Sequence, residues 1–488
     1  MKRQPMSAVD AAWYHFDGPV NTAVITSIML TRTPLDFEKV KRVYTQRLAR
    51  FQRFSQRAVE RGLTFATPYW EEMPGFAIGQ QLHHVALPAP SDDAALAAFV
   101  GDLASTPLDH ARPLWEVHVV DGVGSGSALI TRMHHCLGDG TANVLVARTL
   151  FGTEPEIPEA PRRKAAPPAG LVEQLFAPML EVTQRSTRQV RGAISTTVEA
   201  ATHPQETLRT AGIMLAGAGM LASELLRTSD PRSPLKGEFG LAKRVAWSEP
   251  VALADVKTIG APLDAKINDV LVAGMTGALR TYLRRRGVDV DHTTVRAMVP
   301  VDLRPPGRAH ELGNAFGIVL LELAIGARQR LQRIRVTKAN MDALKRSPEP
   351  VAALALFNLL GRVPKVVEDI ASQMFQSKAS VVMTNVAGPA EPLYLAGVPI
   401  ERVMFWVPHP GKELGMGISI LSYCGKATLA VISDAHLVPD PDAITQEFNR
   451  EFAAMLKAVR TKKSPARTAA TRRPPRSSPR RSEALAHR

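Results

Sequence analysis

The apolar residues of this chain recur with two different spacings, which predicts a mixture of strands and helices. Residues 115–120, Trp-Glu-Val-His-Val-Val, alternate between apolar and polar side chains as a half-buried strand does. The turn-forming sequence DGVGSGS follows, and ALITRMHH then resumes the strand pattern, so we expect a β-hairpin. Over residues 268–286 the apolar positions instead fall three or four residues apart, which predicts an amphipathic helix.

Breaks in these patterns divide the chain into four parts. Residues 1–152 mix helical and strand patterns and are expected to form one α/β lobe. Residues 153–239 begin as a proline-rich linker and continue as a helical crossover. Residues 240–460 form a second mixed region that closes with a helix, and residues 461–488 read as a disordered basic tail. The fold class predicted is therefore α/β, with two lobes joined by a crossover.

Composition narrows the classes of protein that remain. With 45% hydrophobic residues among 488, the chain can build sizeable cores, which excludes global disorder. Its two cysteines exclude a disulfide framework and a four-thiolate metal site. The formal net charge is +14, of which residues 461–488 carry +8. Such a tail is either solvated or binds an anionic membrane surface or nucleic acid. Aromatic residues are only 6%, and no nucleic-acid-binding signature is present, so nucleic acid is not an expected partner.

Neither a secretory signal nor a transmembrane helix is expected from the sequence. Asp10 and His15 interrupt the N-terminal segment before an apolar core can form. The most apolar run, residues 211–223, holds thirteen uncharged residues, whereas crossing a bilayer takes about 20. We therefore expect an intracellular protein.

The candidate chemistry lies where the hairpin ends, in a run that a helical pattern follows at once: His134-His135-Cys136-Leu137-Gly138-Asp139-Gly140. Neighbouring side chains of a strand point to opposite faces, so the two histidines share a site only if the chain has already turned. The two glycines permit such a turn and bring the carboxylate back towards the histidines. A histidine and a carboxylate at a strand-to-helix junction are well placed to serve as a base in a cleft.

General-base catalysis suits this residue set. Histidine, with a reference pKa of about 6.5, is neutral at working pH and can accept the proton of a hydroxyl that attacks a thioester. Such assistance is worth roughly 10²–10⁴-fold in rate. The nearby carboxylate could orient the imidazole, or fix the loop by pairing with an arginine. A tetrahedral intermediate also needs hydrogen-bond donors, and Asn268 at a helix N-terminus has suitable chemistry.

Other interpretations of these residues remain open at this point. The histidine pair with its aspartate could be a surface or core feature, and Cys136 could be a nucleophile. Asn268 could simply cap its helix. A metal site lacks a third ligand at credible spacing, so no metal is expected. The second pair, His83-His84, lacks the Asp-Gly that follows the first and is interpreted as structural.

Taken together, the motifs resemble a known family. The run from His134 to Gly140 matches HHxxxDG, the motif of the condensation-domain and chloramphenicol-acetyltransferase-like (CAT-like) superfamily. The order of further segments resembles one branch, the bacterial wax ester synthase/acyl-CoA:diacylglycerol acyltransferases. Between about residues 6 and 458 these segments are MSAVDAAWYHFD, PLWEVHVVDG, KINDVLVAGMTGALRTYL, MVPVDLRP with Gly313-Asn314, TNVAGP and ISILSYCGKATLAVISDAHLVPDP.

The resemblance implies two CAT-like α/β lobes with an active-site tunnel between them. It assigns the general base to the second motif histidine, His135, with His134 beside it in the motif. Asp139 would shape the loop by pairing with an arginine, for which Arg304 is the candidate. Gly140 matches the family glycine and is counted with these residues in the catalytic site, although turn geometry alone would also explain it.

The same resemblance extends to two further segments of the chain. The Asn-Asp helix supplies Asn268 and Asp269 as supporting residues. The segment Pro113, Leu114 and Trp115 matches as well, although packing alone would explain it.

The implied reaction is acyl transfer from acyl-CoA to a lipid hydroxyl, without a resident cofactor, metal or covalent acyl-enzyme. Diacylglycerol is the favoured acceptor, and a long-chain alcohol is the alternative. Because such substrates are nearly insoluble, peripheral contact with a membrane or lipid inclusion is expected, through the runs 211–223 and 351–360 or the basic tail. A related acyltransferase with a different acceptor or a carrier-protein donor is the other hypothesis. A non-enzymatic lipid-surface protein is disfavoured because the motif is intact.

Overall fold

The structure, a computed structural model, describes residues 3–20, 22–60, 67–153, 228–304, 313–346, 373, 376–408 and 413–463. Most of the predicted linker and crossover, the apolar runs 211–223 and 351–360, and the tail beyond Lys463 lie outside the described residues.

The helices are α1 Ala8–Phe16, α2 Phe37–Leu48, α3 Asp93–Ser105, α4 Gly140–Leu150, α5 Leu253–Gly260, α6 Ile267–Arg285, α7 Arg330–Leu344 and α8 Pro441–Lys463. None of these described helices combines the length and the apolar character that crossing a bilayer requires.

The strands form two large mixed sheets and one small one. They are β1 Arg3–Pro5, β2 Val24–Thr31, β3 Gln56–Val59, β4 Tyr69–Glu72, β5 Leu82–Ala86, β6 Trp115–Val123, β7 Gly126–His134, β8 Lys243–Trp247, β9 Val251–Ala252, β10 Arg296–Asp302, β11 Phe316–Glu322, β12 Val381–Ala387, β13 Tyr394–Leu395, β14 Val398–Trp406, β15 Met416–Tyr423 and β16 Lys426–Asp434. The first large sheet has the order β13-β14-β2-β7-β6-β5, and the second has the order β11-β10-β12-β15-β16-β8, with β9 also on β16. The small sheet has the order β1-β4-β3. This is the two-lobed α/β fold that the sequence predicts.

The two local predictions are confirmed with small shifts. β6 and β7 pair as an antiparallel hairpin, and Gly122 and Gly124 in its connection adopt positive φ, which explains two of the three glycines of DGVGSGS. The predicted helix is α6, displaced by one residue. Asn268 is not its N-cap, as one interpretation held. The helix begins after Lys266, whose backbone N–H donates to the Asp269 carboxylate at 2.8 Å.

The predicted boundary at residue 240 does not separate the two sheets. β13 and β14 lie in the second lobe by sequence, but β14 pairs antiparallel with β2 and extends the first sheet. This pairing covers the backbone edge that β2 would otherwise expose. A strand's partner is chosen by tertiary packing, and composition gives no signal of such an exchange. The other boundary also shifts, because α8 continues to Lys463, three residues into the predicted tail.

An apolar core fills the space between the two large sheets. Ile28 and Ile130 of the first sheet meet Val245 and Ile432 of the second, and Trp406 of the exchanged strand β14 packs among them. All five side chains are buried. The two halves of the chain therefore share one core and cannot be separated without exposing it.

A buried ion pair joins the paired strands β8 and β16 at one end of the second sheet. Lys243 at the start of β8 donates to Asp434 at the end of β16 at 2.7 Å, and both side chains are almost inaccessible. The other oxygen of Asp434 accepts the backbone N–H groups of Gly240 and His436 at 3.1 and 3.0 Å. Removing one partner would leave the other charge buried without compensation.

We predict that Asp434→Ala lowers the free energy of unfolding by about 3–5 kcal/mol, because the Lys243 ammonium loses its counter-ion. Urea denaturation followed by circular dichroism measures this change. The matched control is Glu401→Gln, which breaks the exposed pair with Arg32, whose side chains are 43% and 79% exposed. That control should cost less than about 1 kcal/mol. Equal, small effects of the two substitutions would contradict the prediction.

Candidate active site

The motif turn places its two histidines in different surroundings. β7 ends at His134, and a short 3₁₀ turn over His135–Leu137 carries the chain to α4. Asp139 caps that helix, because its Oδ1 accepts the Ala142 N–H at 3.0 Å. The chain has therefore already left the strand at His135. The two histidines are thus not bound by the alternation that points neighbouring strand residues to opposite faces.

His134 is fully buried and faces away from the space that His135 lines. Its Nδ1 accepts the Cys136 N–H at 3.1 Å, and its Nε2 lies 3.8 Å from Asp17. Asp17 also binds His110 Nε2 at 2.9 Å and accepts the Ala23 N–H at 2.8 Å. Burial lowers the pKa of His134, and the Asp17 carboxylate opposes that effect. These contacts fit a residue that holds the turn in place.

His135 lines a chamber of about 260 Å³ between the two large sheets. One wall comes from the first half of the chain and is mainly apolar, and the other comes mainly from β10, β11, β12 and β14. Lining residues include Ile25, Met29, Leu48, Phe54, Met133 and Leu150 on the first wall and Pro300, Asp302, Phe316, Asn385 and Phe405 on the second. The imidazole is therefore neither sealed in the core nor on the outer surface.

Three side chains hold the His135 ring. Trp13 stacks on it with a centroid distance of 3.8 Å and an interplanar angle of 11°, and the ring centroid of Phe316 lies 5.6 Å away. The ring Nδ1 lies 3.0 Å from Asn314 Oδ1. Burial is the largest influence on the His135 pKa and lowers it to about 4, while the Asp139 charge acts in the opposite direction. The ring is consequently neutral at physiological pH.

Asp139 is held by donors from both halves of the chain. Its Oδ2 accepts from Arg304 Nη2 at 2.8 Å and from the Ala315 N–H at 2.9 Å. The same Arg304 nitrogen donates to the Gly313 carbonyl at 2.8 Å. Both side chains of the pair are buried, at 5% and 7% exposure, so the arginine candidate named from the sequence is the one that the structure brings to Asp139.

The two motif glycines differ in what they allow. A Cβ on Gly138 would lie 2.5 Å from the Ala142 side chain, so a side chain there does not fit. A Cβ on Gly140 would meet nothing within 4 Å, and its φ is not in the left-handed region. Neither crowding nor a left-handed backbone therefore requires a glycine at position 140, which speaks against turn geometry as its explanation. Gly140 is exposed and lines the chamber, where the missing side chain leaves space.

The two residues of the Asn-Asp pair in α6 have different positions. Asp269 caps the helix, and Asn268 lies near the chamber. Asp269 is buried and fixes the helix start through Lys266. Asn268 is exposed and accepts from Asn385 Nδ2 at 3.1 Å, and Asn385 lines the chamber. Asn268 itself is not among the lining residues, so its contact with the chamber runs through Asn385.

The segment of Pro113, Leu114 and Trp115 lies next to the end of β7, where the motif begins. The Leu114 carbonyl accepts the His134 N–H at 2.9 Å, and the Pro113 carbonyl accepts from Gln81 at 2.8 Å. Trp115 donates from its indole to the Phe54 carbonyl at 2.9 Å and lines the chamber with its ring. This segment supports the strand end that carries the histidines.

The structure argues against Cys136 as the nucleophile. The side chain is completely buried and does not line the chamber. Burial raises the pKa of its thiol well above 9, so no thiolate is available at neutral pH.

A different group has metal-ligand spacing. His83 and His118 lie opposite each other on the parallel strands β5 and β6, and together with Glu116 they place one ligand atom each within 4.8 Å of one another. The sequence gives no signal of this group, because the three residues come together only through the pairing of β5 with β6. Arg132 and His118 both bind Glu116 Oε1, so an ion-pair network already engages the carboxylate. His84 is separate and pairs with Asp121 at 2.6 Å.

Three residues around His135 were not predicted as site residues from the sequence. Asp10, Trp13 and Asn314 lie in segments that contributed only to the family resemblance. One signal was present, since Asp10 interrupts an otherwise apolar run, Val9, Ala11, Ala12 and Trp13, in the first helix. A carboxylate on a buried helix face is unusual without a partner. No local pattern marks Asn314.

Comparison with solved structures identifies the class of fold. The chain superposes on a wax ester synthase/diacylglycerol acyltransferase from Marinobacter aquaeolei VT8 with a TM-score of 0.64 and 20% identity, covering 93% of this chain and 100% of that one. The first condensation domain of the calcium-dependent antibiotic synthetase matches with a TM-score of 0.60 and 15% identity, over 94% and 96% of the two chains. The chain therefore has the CAT-like fold that wax ester synthase/diacylglycerol acyltransferases share with condensation domains.

Sequence comparison then identifies the family. The family models described as "Wax ester synthase/diacylglycerol acyltransferase catalytic domain" and "WS/DGAT C-terminal domain" match residues 6–271 and 312–456. A Mycobacterium tuberculosis protein named as the diacylglycerol O-acyltransferase tgs1 is 26% identical over 430 residues, or 86% of this chain and 88% of that protein. A Mycobacterium bovis protein also named as a diacylglycerol O-acyltransferase is 29% identical over 76% of this chain and 79% of its own length. The chain belongs to the wax ester synthase/diacylglycerol acyltransferase family and is an O-acyltransferase.

We predict that the His135 imidazole stays neutral down to a pH of about 4, because burial disfavours the charged ring. The NMR titration of ¹³C-histidine-labelled protein measures this, with the resonance assigned from His135→Gln. His292 is the internal reference, since its bond to Asp289 raises its pKa. Because the unfolded chain takes up the proton first, the stability that His135 contributes should decline as the pH falls from about 6.5 towards 4. A His135 midpoint near 6.5 would contradict the prediction.

Proposed function

We propose that this protein transfers the acyl group of an acyl-CoA to the hydroxyl of diacylglycerol and so produces triacylglycerol. Long-chain alcohols are the second acceptor class, and their product would be a wax ester. The observation that carries the proposal is a neutral histidine, His135, at the wall of a largely apolar chamber between the two lobes. The names of the mycobacterial relatives favour the diacylglycerol acceptor.

The proposed reaction needs one base and no covalent enzyme intermediate. His135 accepts the hydroxyl proton while the hydroxyl oxygen forms its bond to the thioester carbonyl carbon. The tetrahedral intermediate then collapses, and the carbon–sulfur bond breaks. The imidazolium returns the same proton to the departing CoA thiolate, so the ring is neutral again at the end of the cycle.

The lining of the chamber suits a long acyl chain next to a polar reacting group. Met29, Leu48, Phe54 and Met133 supply an apolar wall. Thr141, Asn143, Asp302 and Asn385 supply polar atoms on the side formed by α4, β10 and β12. A mostly apolar pocket with a few polar groups is typical of sites that orient a lipid-like ligand.

The oxyanion of the tetrahedral intermediate needs a hydrogen-bond donor from the chamber wall. The amide nitrogen of Asn143 is buried and has no hydrogen-bond partner among the described residues, and this side chain lines the chamber. Asn268, the candidate from the sequence, reaches the chamber only through Asn385. We therefore assign Asn143 and Asn385 as donors to the reacting carbonyl, with Asn268 supporting Asn385.

We predict that His135→Ala lowers turnover by at least about 10²-fold, because the alcohol loses its base. The assay incubates the protein with labelled palmitoyl-CoA and equal amounts of diacylglycerol and hexadecanol and then separates the products. Triacylglycerol should be the main labelled product of the wild type. A predominant wax ester product would reverse the order of the acceptors.

Two matched variants control this experiment. His84→Ala removes an exposed histidine far from the motif, and Cys136→Ala removes the buried thiol, so both should keep wild-type turnover within a few fold. Circular dichroism melting shows whether each variant is folded. Normal activity in folded His135→Ala would end the mechanism, and an equal loss in Cys136→Ala would favour a thiol nucleophile.

We also propose that the enzyme works at the surface of the cytoplasmic membrane or of lipid inclusions, because both its acceptor and its product partition out of water. The basic segment 464–488 contains seven arginines and one acidic residue. Each basic residue near an anionic surface contributes roughly 1 kcal/mol to binding.

We predict that removing residues 464–488 weakens binding to anionic vesicles while leaving turnover on detergent-dispersed substrate unchanged. The cut follows Lys463, so it spares α8. Flotation with vesicles of phosphatidylcholine alone, and with added phosphatidylserine, measures the effect. Binding that is equal for the full chain and the shortened chain would remove the tail from the mechanism.

A further inference from the structure

The side chain of Asn314 connects the two halves of the chain at the His135 ring. It precedes β11 and reaches back to the motif turn, where its Oδ1 lies 3.0 Å from His135 Nδ1. Its Nδ2 donates to the His135 backbone carbonyl at 2.8 Å and to Asp10 Oδ1 at 2.8 Å. The backbone N–H of Asn314 donates to the same Asp10 oxygen at 3.2 Å.

These contacts settle which end of the amide faces the imidazole. A backbone carbonyl can only accept a hydrogen bond, so the atom of Asn314 beside the His135 carbonyl must be the nitrogen. The second neighbour of that nitrogen is the Asp10 carboxylate, which Arg53 Nη1 approaches at 3.3 Å. The amide oxygen is therefore left for the ring, and an amide oxygen can only accept. The proton between them belongs to His135 Nδ1.

The stacked aromatic ring does not provide this selection. Trp13 lies against the face of the imidazole and restricts its plane. A half-turn about the Cβ–Cγ bond returns the imidazole to the same plane, so it exchanges carbon and nitrogen positions while preserving the stacking. A hydrogen bond at the ring edge distinguishes the two orientations, and the Asn314 side chain supplies one next to the hydrogen bond of the ring with the His135 backbone.

We infer that Asn314 is a positioning residue that keeps His135 in the Nδ1–H tautomer, and that Asp10, backed by Arg53, keeps Asn314 in the required orientation. In this state Nε2 carries the lone pair and is the basic atom. The inference rests on the proposed function of His135 as the base and adds the atom that acts and the residues that select it. The amide is a neutral partner, so it orients the ring without stabilising the imidazolium as a carboxylate would.

Asp10 and Arg53 fix the orientation of the Asn314 amide. Asp10 lies in α1, which Ser7 caps, and only 2% of Asp10 is exposed. The carboxylate accepts from both the side chain and the backbone of Asn314, so the residue is held at two points. His135 and Asp10 belong to the first half of the chain, whereas Asn314 belongs to the second. The base is thus oriented only when the two halves are assembled.

The direct test is the tautomer of His135 in the folded wild-type protein. Proton-coupled ¹⁵N NMR of histidine-labelled protein near pH 7 reports which ring nitrogen carries the proton, with the signals assigned from His135→Gln. We expect the proton on Nδ1. A proton on Nε2 would overturn the inference without any variant having to fold, and it would leave the role of His135 as an active-site residue to the His135→Ala assay.

The second test is Asn314→Ala, which removes the amide and nothing that touches substrate. We expect kcat to fall about 10- to 100-fold with KM within about twofold, because the base is misoriented while the chamber is intact. The ¹⁵N spectrum should change from one tautomer to a mixture. Asp10→Asn should shift the spectrum in the same direction with a smaller loss of kcat.

Asn340→Ala is the matched control, because Asn340 donates at 2.9 Å to the Glu322 carbonyl, an exposed contact on α7. It should leave kcat, KM and the ¹⁵N spectrum unchanged. Unchanged kcat and an unchanged tautomer in folded Asn314→Ala would refute the positioning role. Loss of activity in Asn314→Ala with an unchanged tautomer would also refute it, since that result describes a structural residue only.

Discussion

The architecture of the site depends on the buried contact between Asp139 and Arg304. A carboxylate and a guanidinium lose most of their hydration when they are buried, so the pair is stable only if further hydrogen bonds satisfy it. Ala142 and Ala315 give those bonds to Asp139 from the two sides of the chamber, and Arg304 also binds the Gly313 carbonyl. One carboxylate therefore caps α4, closes the motif turn and fixes the segment that carries Asn314. Arg304 and Ala315 thereby connect the second half of the chain to the motif turn.

The apolar chamber favours a lipid chain, whereas the base that we propose must carry a positive charge for part of the cycle. An apolar wall suits a lipid chain but disfavours any charge next to it, and this is why the pKa of His135 lies well below that of a free imidazole. A base of this kind is fully neutral at working pH and holds a proton only briefly. That behaviour suits a reaction in which the proton taken from the alcohol is returned to the thiolate. A carboxylate bonded directly to Nδ1 would stabilise the imidazolium, whereas the amide of Asn314 does so less.

Some features of the fold and the site could be predicted from the sequence, and others could not. The hairpin and α6 followed from local periodicity, since alternation and helical spacing are properties of neighbouring residues. The pairing of Asp139 with Arg304 was anticipated only through resemblance to a family, because 165 positions separate the two residues. Both Gly138 and Gly140 were expected to permit the motif turn, but only Gly138 occupies a position without room for a side chain. His83 and His118 became neighbours only through the register of β5 and β6.

By itself the sequence determined the secondary structure around the motif, the presence of two α/β units, the family and the histidine that we propose as the base. These depend on residue type and on spacing within short segments. Tertiary structure decided that β14 joins the first sheet, that His134 turns away from the chamber while His135 lines it, and that Asn314 meets Nδ1. Each of those outcomes depends on which distant segments pack against each other, and that choice is made by the shared core between the sheets rather than by any local pattern.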